Sequence, residues 1–323
     1  MVKNYPLVFF ALFTLAIGWG FFALYTLLSP TLPGFAPWML VMGLNIPTLT
    51  AMMMWIHIKG AQFMPAMPIH LSVFALGVVT GVVGLPLVFD SGVSVGTIIG
   101  ALLVSDSVAF IISTAVTKRG SGPQMRTLYE WRHHPLLWVS ALLIFPVLLA
   151  MACMVGESAL VLRPSAFGNY IAALVFIAVF MGPLGLEWGL RHFASKRLLA
   201  WMNPLFASMV LALFLWAMLM PLRDAEVPYL TLLSPFELLI ALMAVNTVLG
   251  FFYLMSKGSV LLTMVAHTSL LYGIWIVTPS LETMRTLVAL CLGVGAMMVV
   301  FLPFMRDKIK AQKRMEKEGM HHY

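Results

Sequence analysis

Tyr170-Ile-Ala-Ala-Leu-Val-Phe-Ile-Ala-Val-Phe-Met-Gly-Pro-Leu-Gly-Leu-Glu187-Trp-Gly-Leu190 is, as a helix, long enough to cross about 30 Å of hydrocarbon, and it holds a single charged side chain. A carboxylate inside such a span costs roughly 2.5 to 3.5 kcal/mol on insertion scales, so it reads first as a functional group with a partner to be named. Arg191 follows four residues on. At that spacing two side chains share one face of an α-helix, and an acid N-terminal to its base is the better orientation.

The rest of the chain repeats the pattern. Apolar residues make up 61% of the 323 and charged ones only 10%, far from a soluble domain. Apolar runs of about 20 residues each predict ten spans, near 7–28, 36–56, 68–89, 93–117, 136–155, 170–190, 204–222, 235–255, 258–278 and 284–305. The fold class is therefore all-α, a polytopic transmembrane helical bundle. Alternating outward and inward residues of a membrane barrel are absent. The first run, Leu7 to Leu28, is too long for a signal-peptide apolar region and no small-x-small cleavage site follows, so it is read as a retained helix.

Charge placement orients this bundle. With the N-terminus inside, the inner segments hold Lys3, Lys59, the Lys118–Arg132 group, Arg191, Lys196, Arg197, Lys257 and the tail cations from Arg306 on, leaving only Arg163, Arg223 and Arg285 of the 19 Lys and Arg outside. That bias is what the positive-inside rule expects, and it places both termini on the cytoplasmic face of the cell membrane. The net charge of +7 belongs to loops beside a lipid leaflet, so membrane lipids are the expected partner and nucleic acid is not. Cys153 and Cys291 lie in spans and in no Cys-x-x-Cys pair, and no metal or cofactor fingerprint occurs.

Most titratable groups avoid the bilayer. Of the acids, only Asp106 and Glu187 fall at depth, and His267 is the mid-span histidine, with Asn45 and Asn246 completing the deep polar set; His70 and His192 sit at span edges. Known intramembrane protease chemistries narrow quickly against that inventory. His-Glu-x-x-His is missing, Ser269 is two residues from His267 and so off its helix face, and only one deep aspartate exists. A carboxylate with an imidazole remains: Glu187 and His267 as general base and electrostatic partner for a water. The structural alternatives are a Glu187–Arg191 ion pair that pins a helix, a core imidazole at His267, and an Asp106 capped by Asn45 or Asn246; failing such a cap, Asp106 is a proton or ion site.

Gly182-Pro-Leu-Gly-Leu-Glu187-Trp-Gly-Leu-Arg191, then Phe214-Leu-Trp-Ala-Met-Leu-Met-Pro221, then Gly258-Ser-Val-Leu-Leu-Thr-Met-Val-Ala-His267 resembles the CPBP family of intramembrane proteases, which includes the type II CAAX prenyl proteases. The family pattern runs Gly-Pro-Leu-Gly-Glu-Glu-x-x-x-Arg, Trp-Ala-x-x-His-x-Pro, and Gly-Ser followed seven residues later by a His and four more by an Asn. The aromatic-basic stretch Trp131-Arg-His-His-Pro-Leu-Leu-Trp138 is similar to the segment that precedes the family's catalytic half. Spans 68–89 and 93–117 have no counterpart and read as an inserted pair. The resemblance thus implies one transmembrane domain over 1–305, CPBP-like from about 130 to 305, with a basic cytoplasmic tail at 306–323.

The resemblance implies intramembrane endoproteolysis, with Glu187 at the second Glu, Arg191 at the Arg and His267 at the second His. Leu186 stands at the first Glu, Leu271 at the Asn, and Met218-Leu219-Met220 where the first His belongs, in a segment one residue short. The expectation is therefore a protease-like protein impaired in turnover, handling a hydrophobic or lipidated peptide without a cofactor. Its rivals are a non-catalytic pseudoprotease with an immunity or scaffold role, and a proton-coupled transporter using Asp106.

Overall fold

In a bilayer each unpaired backbone N–H or C=O costs several kcal/mol, so long apolar runs close their hydrogen bonds internally as helices. The structure is a computed structural model that describes residues 5–59, 67–90, 92–116, 135–156, 167–223 and 231–301. Among these residues there is no strand. The helices are α1 (Pro6–Leu28), α2 (Ala36–Lys59), α3 (Met67–Phe89), α4 (Val95–Val116), α5 (Pro135–Val155), α6 (Phe167–Val179), α7 (Pro183–Glu187), a π-helix (Trp188–Ser195), α8 (Lys196–Trp201), α9 (Pro204–Leu219) with a 3₁₀ turn (Met220–Leu222), α10 (Pro235–Met255), α11 (Val260–Val277) and α12 (Leu281–Phe301). Among the described residues ten segments are long and apolar enough to cross a membrane, and the protein is a multi-pass helical membrane protein. The tail at 306–323, the first half (131–134) of the stretch that begins at Trp131, and the charges Lys3, Lys118, Arg119, Arg126, Arg132 and Arg163 lie outside the described residues.

Nine of the expected spans match a helix to within a few residues; the sixth does not end where its first charge suggested. Its apolar stretch continues from Gly168 to Trp201, which takes in Arg191, His192, Lys196 and Arg197. Arg191 and His192, read from sequence as an inner-segment charge and a span-edge histidine, are buried within the protein, at 0% and 2% exposure. The Arg197 guanidinium lies 3.7 Å over the Phe193 ring and donates to the Phe193 carbonyl at 3.0 Å, so that its charge is held against its own helix.

The chain divides into two compact units, Met1–Tyr129 with Pro164–Gly189, and Glu130–Arg163 with Leu190–Tyr323, the boundary falling inside the π-helix. The first unit is organised around close backbone approaches. Trp38 of α2 is buried edge-on to Phe176 and Phe180, 6.1 and 5.7 Å between ring centroids. It is seated against Gly81 of α3 and Gly100 of α4, where any Cβ would strike the indole. In the second unit α5, α10, α11 and α12 bury Phe145, Leu149, Val248, Phe252, Leu262 and Leu287 in one apolar core. Helix α10 starts with a full capping box: the Ser234 hydroxyl accepts from Glu237 N at 3.2 Å and the Glu237 carboxylate accepts from Ser234 N at 2.7 Å.

Candidate functional site around Glu187

Gly182 and Pro183 make the break that Glu187 needs. Gly182 has φ +114, a conformation costly for any residue with a Cβ, and Pro183 occupies the first helical position, where its missing N–H is harmless. A new helix, α7, therefore begins four residues before Glu187, which the placement of Pro183 suggests from sequence. Glu187 ends α7, at 1% exposure, and the backbone then turns π-helical for eight residues. Bonds there span five residues instead of four, so the α-helical face rule that links Glu187 to Arg191 does not carry across this stretch.

Helix α2 holds the break in place. Thr48, fully buried, donates its hydroxyl to the Gly185 carbonyl at 2.5 Å and accepts from Gly189 N at 3.2 Å. Those two groups would bond each other in an uninterrupted α-helix; the hydroxyl inserts between them, a recognised way to bend or widen a helix. Only glycine fits at either position. A Cβ on Gly185 would lie 2.6 Å from the Asn45 Cα, and one on Gly189 would lie 2.8 Å from Thr48 N. Gly185-x-x-x-Gly189 is thus a small-residue seam that brings α2 against the segment bearing Glu187. Asn45 donates to Val41 O at 2.8 Å and Phe180 O at 3.3 Å, securing the residues just before the break.

In the second unit, Arg191 is fully buried and donates from Nη2 to Asn246 Oδ1 at 2.7 Å, while Asn246 Nδ2 donates to Leu242 O at 3.0 Å. One turn further along α10, a Cβ at Gly250 would stand 2.6 Å from Ser208 Oγ and 3.7 Å from Arg191 Nη1. Gly250 and Ser208 also line a shallow cleft among α9, α10 and α12, with Leu205, Thr247, Phe251 and Met298. His267 is half-buried in α11. Ser269 donates its hydroxyl to the carbonyls of Ala266 and Ala141, at 2.8 and 3.3 Å, the behaviour of a packing residue and not of a nucleophile.

Glu187 accordingly belongs to one unit, Arg191 and His267 to the other. Leu186, where the resemblance expects the first Glu, is buried at 5% exposure, and in Met218-Leu219-Met220, where it expects the first His, Met218 and Leu219 are buried and Met220 is partly exposed. Sequence reasoning missed His192, which lies in the π-helix five residues after Glu187. Its signal was the apolar Phe193, Ala194, Leu198 and Leu199 that follow and keep the chain in an apolar setting.

Asp106 differs from its expected place. Neither Asn45 nor Asn246 caps it; its side chain is 67% exposed on α4 and meets His70 of α3, with Nε2 3.0 Å from Oδ1. Among the described residues no group of three or more His, Cys, Asp or Glu is arranged to hold a metal ion. No protein-family pattern matches this chain, and no curated protein matches it.

Proposed function

We propose that this is a CPBP-protease-like protein of the cytoplasmic membrane, with both termini inside, that binds a hydrophobic or lipidated peptide and turns it over poorly or not at all. The observation that carries this reading is a contrast among buried side chains. Glu187 and Arg191 are kept at 1% and 0% exposure in an apolar chain, whereas Leu186 and the Met218-Leu219-Met220 segment put apolar side chains at the water-activating positions. Each acid–base participant lost costs about 10² to 10⁴ in rate, so losing two removes most of an enzyme's advantage while leaving its binding surfaces intact.

Capture tests it. A lipidated peptide carrying a photo-reactive group is expected to crosslink to the protein in native membranes, and Glu187→Gln and His267→Gln are expected to keep the yield. A yield no greater than that of an unrelated polytopic protein contradicts the binding role. The transporter reading draws on Asp106, which stands on an exposed face with a titratable partner. Proton-coupled uptake unchanged by Asp106→Asn would dismiss it.

A further inference from the structure

The exposed positions of α4 are Val95, Ile98, Ile99, Leu102, Leu103 and Asp106, at spacings that trace one helix face. Five are hydrocarbon and suit lipid; the sixth is an acid. An ionised carboxylate on such a face is costly unless matched, and His70 supplies the match from the first turn of α3. The imidazole is itself held at both ends, since Nδ1 lies 3.5 Å from Ser113 Oγ, whose hydroxyl donates to the Phe110 carbonyl at 3.3 Å. A Ser113 hydroxyl whose proton goes to that carbonyl leaves its oxygen to accept from an Nδ1–H, the ring tautomer being what sets the direction of this contact. Nε2 is then the nitrogen that faces the carboxylate, either receiving a proton from Asp106 or donating one to it.

From this geometry we propose that His70 and Asp106 form a proton-binding site on the exposed face of the α3–α4 pair, loaded with one proton between Nε2 and Oδ1. Its charge state sets how firmly the two helices are clasped. With that proton the pair is neutral overall, whichever atom holds it. Removing it leaves a net negative charge on an apolar face, and adding a second leaves a net positive one, an imidazolium facing a neutral carboxyl group. The elements packed against this pair are α2 and α6, and their titratable side chains are His57 and Lys59 in the last turn of α2 and Tyr170 in α6. None of them needs to move for the site to load. The site is independent of the peptide-binding reading, because it lies wholly within the pair of helices that the protease resemblance leaves unassigned.

The test uses dicyclohexylcarbodiimide, an apolar reagent that adds to protonated carboxyl groups and is read as a mass increment on the Asp106 peptide, with the full-length protein in liposomes from pH 5 to 9. Labelling of the wild type is expected to fall several-fold as pH rises, and Asp106→Asn to abolish the adduct. With His70→Leu the stranded acid sheds its charge by protonation, so labelling at neutral pH is expected to rise about fivefold and persist to higher pH. His70→Gln, which keeps a hydrogen-bond donor without titrating, is expected to shift the profile in the same direction and guards against a folding defect in the leucine variant. His57→Ala is expected to leave the profile unchanged. Equal labelling of the wild type and both His70 variants at every pH, or no adduct on Asp106 in any of them, overturns the proposal.

Discussion

Glu187 and Asp106 look alike in sequence, each an acid inside an apolar run, yet they stand in opposite settings. Glu187 is enclosed, on a helix broken by Gly182 and Pro183 and latched by Thr48, with glycines on both sides letting α2 approach. Asp106 lies on an outer face, in an unbroken helix, met by one imidazole. The difference teaches that an acid within a span says little by itself about burial, and that its neighbours say more. Glycines two residues before and two after Glu187 mark a face pressed against another helix, whereas large aliphatics at the turn positions below Asp106 mark a face left outward.

The contrast breaks most visibly at the glycine seam. Gly189→Val places side-chain atoms against α2 backbone that cannot yield, and a loss of about 3 kcal/mol or more is expected in denaturant titration in micelles. Arg191→Leu ranks next. It strands the Asn246 carbonyl oxygen inside the second unit, with an expected cost of about 2 to 3 kcal/mol. Thr48→Val keeps the shape and removes the inserted hydroxyl, leaving Gly189 N–H and the Gly185 carbonyl without it. About 2 kcal/mol is expected, with faster amide exchange at Gly189 as the local readout. Asp106→Asn sharpens the other side of the comparison: on an exposed face with one partner, it should alter stability by less than about 1 kcal/mol. A larger loss there than at Thr48 would reverse the contrast.

What sequence reveals here follows from what lipid demands. Span positions were legible because hydrocarbon thickness sets helix length, and Pro183 is the readable mark of the restart, since proline is suited to the first turn of a helix. The far end of the sixth span was not. Arg191 read as a boundary because a charge normally marks one, but its guanidinium is buried and donates from Nη2 to Asn246, 55 residues further on. The π-helical turn was hidden for a similar reason, since it depends on Thr48 of a distant helix reaching into the Gly185–Gly189 step. The partner of Asp106 was misread because Asn45 and Asn246 were matched to it by depth, and each had a nearer carbonyl or guanidinium to serve. Gly185-x-x-x-Gly189 was the readable signal of the α2 contact, visible in the same stretch that holds Glu187.

Peptide turnover in membranes, followed by mass spectrometry of a lipidated reporter, tests the central reading most directly. The account predicts that wild type and Glu187→Ala both leave the reporter intact at the background rate while still capturing it. Cleavage by the wild type that Glu187→Ala abolishes would contradict it and make the protein a working protease.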